Sequence, residues 1–235
     1  MATSLREGFE EAFNYTDWYQ RVYEYLERYI FAEIDRHDMD GRQARQEIYR
    51  LVEEAYSQGK IMLGTAGRNW DEERLPVDMA VVHHSKLTPW DGIRERTTWQ
   101  RLSAIGLLRQ YTRPYLDESR DLYGKAIYSN HFRGGESVFY AYHWLVYSDG
   151  TAERLLNDNE IGWQAGNWEI NKRSVGICLD GDFTDSEPTK EAVAKLWEIC
   201  GLYDLNRVMG HHESNHRTGC PGEWWNRYKQ QSLDF

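Results

Sequence analysis

Gly210-His211-His212-Glu213-Ser214-Asn215-His216-Arg217-Thr218-Gly219-Cys220-Pro221-Gly222 places imidazoles and a thiol within one short loop late in the chain. Far upstream, His83-His84 closes the apolar run Met79-Ala80-Val81-Val82, which has the length and composition of a buried strand. Where two such segments meet, two imidazoles and one thiolate form a three-donor set. That is the layout of catalytic zinc, with the fourth tetrahedral position left open. A chain that uses this set must fold a strand end from its first half against a loop near its other end. The three cysteines, Cys178, Cys200 and Cys220, are too sparse and odd in number for a disulfide framework, and a reduced compartment suits them.

The length of 235 residues allows one large domain, or one domain with a helical extension. With 40% hydrophobic residues, ten Trp and sixteen Tyr, there is ample material for a packed core. A net charge of −10 argues against nucleic acid as a partner, because phosphate binding needs a Lys/Arg surface. No apolar stretch has the length of a membrane span. Met1-Ala2-Thr3-Ser4-Leu5-Arg6-Glu7 lacks the basic-then-apolar pattern of a secretory signal, which gives an expectation of synthesis in the cytoplasm.

Residues 5–60 read as two helices. Val22, Leu26, Tyr29, Ile30 and Ile34 recur at helical spacing, as do Ala44, Ile48, Leu51, Val52 and Ala55. Asp40 with Gln43 suits a capping box, and the turn around Asp38-Gly41 makes an αα-hairpin. The expected organisation is a helical hairpin extension over 1–63, a linker over 64–76 and an α/β domain over 77–235. Within that domain Val77–His83 and Ser174–Leu179 read as buried strands. Phe139–Tyr147 and Ala152–Leu156 form a hairpin across Ser148-Asp149-Gly150-Thr151. Arg94–Arg109 reads as a helix and 111–137 as a long irregular loop. Thr189 caps a helix running to about Tyr203, Arg207–Gly210 is a brief strand, and Gly222–Gln230 is a closing helix. The fold class is α/β, a mixed central sheet flanked by helices.

Four segments, taken in order, resemble the type-2 N-acetylmuramoyl-L-alanine amidases, a family that includes phage lysozyme-type amidases and peptidoglycan recognition proteins. They are Val81-Val82-His83-His84-Ser85, Tyr142-His143-Trp144 through Asp149-Gly150-Thr151, Asn171 to Gly181, and Gly210-His211 through Cys220-Pro221-Gly222. The resemblance implies a Zn2+ enzyme that cuts the amide between the muramic acid lactyl group and the first L-alanine of peptidoglycan or its muropeptides. It would act on the cell wall once released or exported. Carried over by position, the metal ligands are His83, His211 and Cys220. Nine positions separate His211 from Cys220, one more than is usual in the family. Either the loop holds an extra residue near Asn215-His216, or His212 is the ligand; the strand before Gly210-His211 favours the former. Family position also marks two catalytic side chains, Tyr142 before the Asp-Gly turn and Thr218 two residues before the cysteine. Either hydroxyl could stabilise the oxyanion or orient water.

Some members of the family carry a glutamate base at the position of Cys178, and those usually lack the strand tyrosine. Tyr142 with Cys178 therefore resembles the tyrosine-type branch. Gln164 stands where relatives often have histidine, which weakens any imidazole assistance there, and Glu213 is a fallback acid or base. Candidate substrate contacts are His84, Trp90, His131, Arg133, Asn171 and Arg217. Two other readings compete with catalysis. One is a muramyl-peptide recognition module without activity, which the retained Cys220 argues against. The other is a regulatory role in which the N-terminal helices bind a protein partner or a second copy.

Overall fold

The computed structural model describes residues 10–26, 39–86 and 96–232, apart from the side chains of 23–26, 39–45 and 230–232. The chain forms two compact units. One comprises the residues before Trp70 together with Thr98–Phe139; the other comprises Trp70–Thr97 and Tyr140 onward.

The first unit is mainly helical, with α1 (Trp18–Leu26), α2 (Met39–Ser57), α3 (Trp99–Gly106) and the short α4 (Arg113–Leu116). Helix α2 buries Ile48, Leu51, Val52 and Ala55, the stripe that its sequence spacing marks out. Ala44, the Asp40 cap and the hairpin turn fall outside the described residues or side chains. Helix α3 opens at Thr98, whose hydroxyl accepts from Arg101 N–H at 3.1 Å. It is tied to α2 through Glu53, which receives the Thr98 hydroxyl at 2.8 Å and the Arg101 guanidinium. The segment 111–137, read from sequence as irregular, instead holds α4 and an antiparallel pair, β2 (His131–Arg133) with β3 (Glu136–Val138). Ahead of that segment, a π-helical turn over Leu107–Tyr111 follows α3 directly. Sequence boundaries at 63 and 77 did not anticipate this grouping. Leu102, Ala104, Leu107 and Leu108 are apolar faces that need a partner, and the N-terminal helices belong to the same unit.

The second unit is built on a five-stranded sheet in the order β5-β4-β6-β1-β7. The strands are β1 (Met79–His84), β4 (Trp144–Val146), β5 (Ala152–Arg154), β6 (Ser174–Leu179) and β7 (Arg207–Gly210), with the short helix α5 (Trp168–Asn171) leading into β6. All adjacent pairs are parallel except β4 with β5, so this is the mixed sheet expected from the sequence. Strand β4 is shorter than Phe139–Tyr147. Residues 139–143 lie between β3 and β4, and the division between the units falls after Phe139.

Strand alternation divides the sheet into two faces. Ala80, Val82, Val175, Ile177 and Leu179 pack with Ala192, Leu196, Ile199 and Cys200 of α6 (Lys190–Cys200) and with Trp224 and Trp225 of α8 (Trp224–Ser232). Each fully buried aliphatic chain there contributes roughly 1.5–3 kcal/mol relative to exposure. The Thr189 hydroxyl caps α6 by accepting from Ala192 N–H at 3.2 Å. On the opposite face Val81 meets Met209 and Ala165. By the same alternation His83 and Cys178, register partners across β1 and β6, share that second face. Among the described residues no helix is long and apolar enough to cross a membrane.

Candidate metal centre

His83 is the penultimate residue of β1, His211 begins the four-residue helix α7 (His211–Ser214) directly after β7, and Cys220 lies in the Cys-Pro-Gly turn beyond it. Strands β1 and β7 are parallel neighbours, so both histidines emerge at the same end of the sheet. The donor atoms of His83, His211 and Cys220 all lie within 4.8 Å of one another. The two imidazole centroids are 4.5 Å apart, and Cys220 Sγ is 3.7 Å from His83 Nδ1. Tetrahedral zinc, with Zn–N about 2.05 Å and Zn–S about 2.3 Å, sets its nitrogen and sulfur ligands about 3.6 Å apart. The three donors therefore fit a zinc ion.

Their chemistry suits the same group. Burial, then the neighbouring His211, holds the His83 imidazole well below its ordinary pKa, so it is the neutral ring that can donate a lone pair. The backbone N–H of His84 donates to Cys220 Sγ at 3.4 Å, complementing negative charge on the sulfur. Gly222 makes the turn feasible. Its φ is +107°, and a Cβ there would collide with the Phe183 carbonyl oxygen.

The extra loop residue does not bring His212 into the cluster. Its backbone N–H and Nδ1 both engage the Cys220 carbonyl, at 2.8 and 3.0 Å, while Nε2 contacts Asn226 Oδ1 at 3.2 Å. His212 thus braces the turn that carries the sulfur. Glu213 accepts from Gly210 N–H at 2.6 Å, Trp225 Nε1–H at 2.9 Å and Lys229 Nζ at 2.7 Å. Burial opposes its ionisation, but Lys229 and these donors outweigh burial and hold its carboxyl below the usual range. A carboxylate so engaged is a structural anchor and has little capacity to take a proton.

Tyr142 is partly exposed, with its ring centroid 4.9 Å from that of His83. Its neighbour His143 points the other way and is fully buried. It donates Nε2–H to Glu160 O at 2.9 Å and accepts Gly176 N–H on Nδ1 at 3.1 Å. The Thr218 hydroxyl oxygen accepts from Cys220 N–H at 3.1 Å, which puts it beside the sulfur-bearing residue. Cys178 is buried under the site, and burial followed by the proximity of Cys220 pushes its thiol well up.

The candidate substrate contacts are scattered. His84 faces away from the cluster and accepts Phe183 N–H on Nδ1 at 2.9 Å. Trp90 lies outside the described residues. The residues flanking its segment, Ser85 and Thr97, both donate to buried Asp180 Oδ1, at 3.2 and 2.5 Å. His131 and Arg133 belong to the first unit. There His131 Nδ1 pairs with the Tyr111 hydroxyl at 3.1 Å, and Arg133 sits 5.7 Å over the Trp99 ring. Asn171 is buried, and its Oδ1 accepts from the N–H groups of Gln164 and Ala165, at 3.2 and 2.8 Å. Arg217 is exposed on the loop before Thr218.

The side chain that sequence reasoning undervalued is Gln164. Its Oε1 lies 2.5 Å from His83 Nε2, and its Nε2 donates to Ser174 Oγ at 2.8 Å. Gly176 on β6 gives it passage, since a Cβ there would meet Gln164 Cγ at 2.9 Å. That glycine, in the middle of a buried strand, was the signal available in the sequence.

A comparison with curated protein sequences gave no match. Among solved structures, the N-acetylmuramoyl-L-alanine amidase LysC of Clostridium intestinale is 21% identical with a TM-score of 0.43, over 67% of this chain and 87% of that one. An endolysin of a Thermus scotoductus bacteriophage is 21% identical with a TM-score of 0.39, over 63% and 79% of the two chains. The human peptidoglycan recognition protein PGRP-IBETAC, in complex with glycosamyl muramyl pentapeptide, is 19% identical with a TM-score of 0.38, over 63% and 79%. The family model for N-acetylmuramoyl-L-alanine amidase matches residues 73–223, a span that contains His83, Tyr142, His211 and Cys220. The chain belongs to the N-acetylmuramoyl-L-alanine amidase family.

Proposed function

We propose that this protein is a zinc-dependent amidase acting on the bond between N-acetylmuramic acid and L-alanine in peptidoglycan or its muropeptides. The observation that carries this reading is the convergence of one ligand atom each from His83, His211 and Cys220 within 4.8 Å. Zinc held by these donors would supply Lewis acidity at the scissile carbonyl and make water nucleophilic near neutral pH.

The chain's own groups do the rest. Attack on an amide puts negative charge on the carbonyl oxygen, and Tyr142, whose ring lies beside that of His83, would donate its phenolic proton there. Thr218 uses its oxygen as acceptor for Cys220 N–H, so its hydroxyl proton is directed to a further acceptor, either the oxyanion or the attacking water. Buried His143 takes no part, because both of its ring nitrogens are committed to backbone groups. Arg217, exposed next to Thr218, suits a carboxylate of the stem peptide.

The test is metal analysis of the full chain together with mass spectrometry of products from defined muropeptides. One zinc per chain and release of a stem peptide beginning at L-alanine are expected. Tight muropeptide binding without cleavage would replace the enzyme by a recognition module, and absence of both would end the reading.

A further inference from the structure

The Gln164 contact has a chemical direction. His83 turns Nδ1 toward Cys220 Sγ at 3.7 Å, so the other ring nitrogen, Nε2, must carry the proton if Nδ1 is to donate to a metal. The group facing Nε2 must then be an acceptor, and it is Gln164 Oε1 at 2.5 Å. An amide flip would present a second N–H and force the wrong tautomer. Ser174 Oγ, accepting Gln164 Nε2 at 2.8 Å, holds the oxygen toward the histidine.

The segment carrying Gln164 is tied to both histidines. Asn171 Oδ1 gathers the backbone N–H groups of Gln164 and Ala165. The Ser214 hydroxyl, at the end of α7, lies 3.0 Å from the Ala165 carbonyl and 2.9 Å from the carbonyl of His211. One buried dipeptide therefore meets the side chain of one histidine and the helix of the other.

We propose that Gln164 is the positioning residue of this centre: it fixes the tautomer and ring rotation of His83, with Ser174 and Asn171 fixing Gln164 in turn. This inference rests on the zinc reading above. A neutral amide sets the ring without adding a second negative charge to the site beyond the Cys220 thiolate. Removing such an outer partner typically lowers metal affinity 10–100-fold.

The experiment measures zinc affinity of the full chain by chelator competition for the parent, Gln164→Leu and Gln164→Glu, with thermal melts of each apo-protein. A long-range nitrogen–proton NMR spectrum of the parent reads the His83 tautomer. Gln164→Leu should bind zinc about 10–100-fold more weakly, Gln164→Glu, which keeps an acceptor, should stay within a few-fold of the parent, and His83 should carry its proton on Nε2. Equal affinity in parent and Gln164→Leu, or a proton on Nδ1 of His83, overturns the proposal while leaving the zinc reading intact. If the parent binds no zinc, the zinc reading itself falls. Should Gln164→Leu fail to fold, the tautomer and the Gln164→Glu affinity still decide.

Discussion

His83 Nδ1 and Cys220 Sγ stand 3.7 Å apart although 137 positions of chain separate them. The approach is secured from both sides, by His84 N–H reaching the sulfur and by His212 bracing the carbonyl of the same cysteine. Neither segment has the site alone, so losing either donor should empty it.

Cys220→Ala and His211→Ala should each lose stoichiometric zinc and stem-peptide release. His212→Ala should keep zinc and lose roughly 1–2 kcal/mol of stability, the usual cost of vacated hydrogen bonds. Metal analysis and denaturant titration check both points. Zinc retained in His211→Ala and lost in His212→Ala would reverse the ligand assignment.

Tyr142→Phe removes one hydroxyl and leaves the ring against His83. It should bind zinc like the parent and turn over about 10²–10³-fold more slowly, the effect of deleting one oxyanion donor. A muropeptide-cleavage assay at saturating substrate measures it, and an unchanged rate would strip Tyr142 of its role.

Gly222→Ala should be far more damaging than Gly134→Ala, although both glycines have positive φ. A Cβ at 222 collides with the Phe183 backbone, whereas one at 134 meets nothing within 4 Å. The expectation is a loss of roughly 3 kcal/mol or more at 222, with weakened zinc binding, against about 1 kcal/mol at 134. Similar unfolding midpoints for the two variants would contradict the close approach of the turn to Phe183.

His143 makes stability depend on acid. Burial, then the nearby Arg74 cation, lowers its pKa from 6.5 to about 3. Between those values the unfolded chain binds a proton that the folded chain refuses, so stability is fully present above pH 6.5 and declines as pH falls toward 3. The slope approaches about 1.4 kcal/mol per pH unit for this one group. Urea midpoints of the metal-free protein at several pH values should show it. In His143→Gln the slope should drop by nearly one proton, and an unaltered slope would refute the assignment.

Deleting residues 1–60 should not leave a well-behaved core. Helix α2 shares its unit with α3 and with β2–β3, and Glu53 of α2 holds both Thr98 and Arg101. Truncation exposes Leu102, Leu107 and Phe139, so poor solubility is expected. A soluble truncation that binds zinc like the full chain would make the N-terminal helices an appendage.

Much of this protein is written locally in its sequence. Strand β6 covers the apolar run Ser174–Leu179, the Thr189 cap opens α6 as read, and the stripe Ile48-Leu51-Val52-Ala55 is buried as its spacing requires. Period and caps depend on neighbours a few residues away, so they survive translation into one dimension. The motifs that carry the candidate donors were legible for a related reason, because a strand-end histidine and a Gly-His…Cys-Pro-Gly loop are short. Three matters were settled only by tertiary structure. His211 rather than His212 joins the cluster, Gln164 rather than a histidine meets His83, and Thr98–Phe139 group with the N-terminal helices. Each depends on which atoms the folded chain brings face to face, as the register of β1 against β6 and β7 does at the candidate metal centre, and no spacing along a single chain encodes a contact across strands.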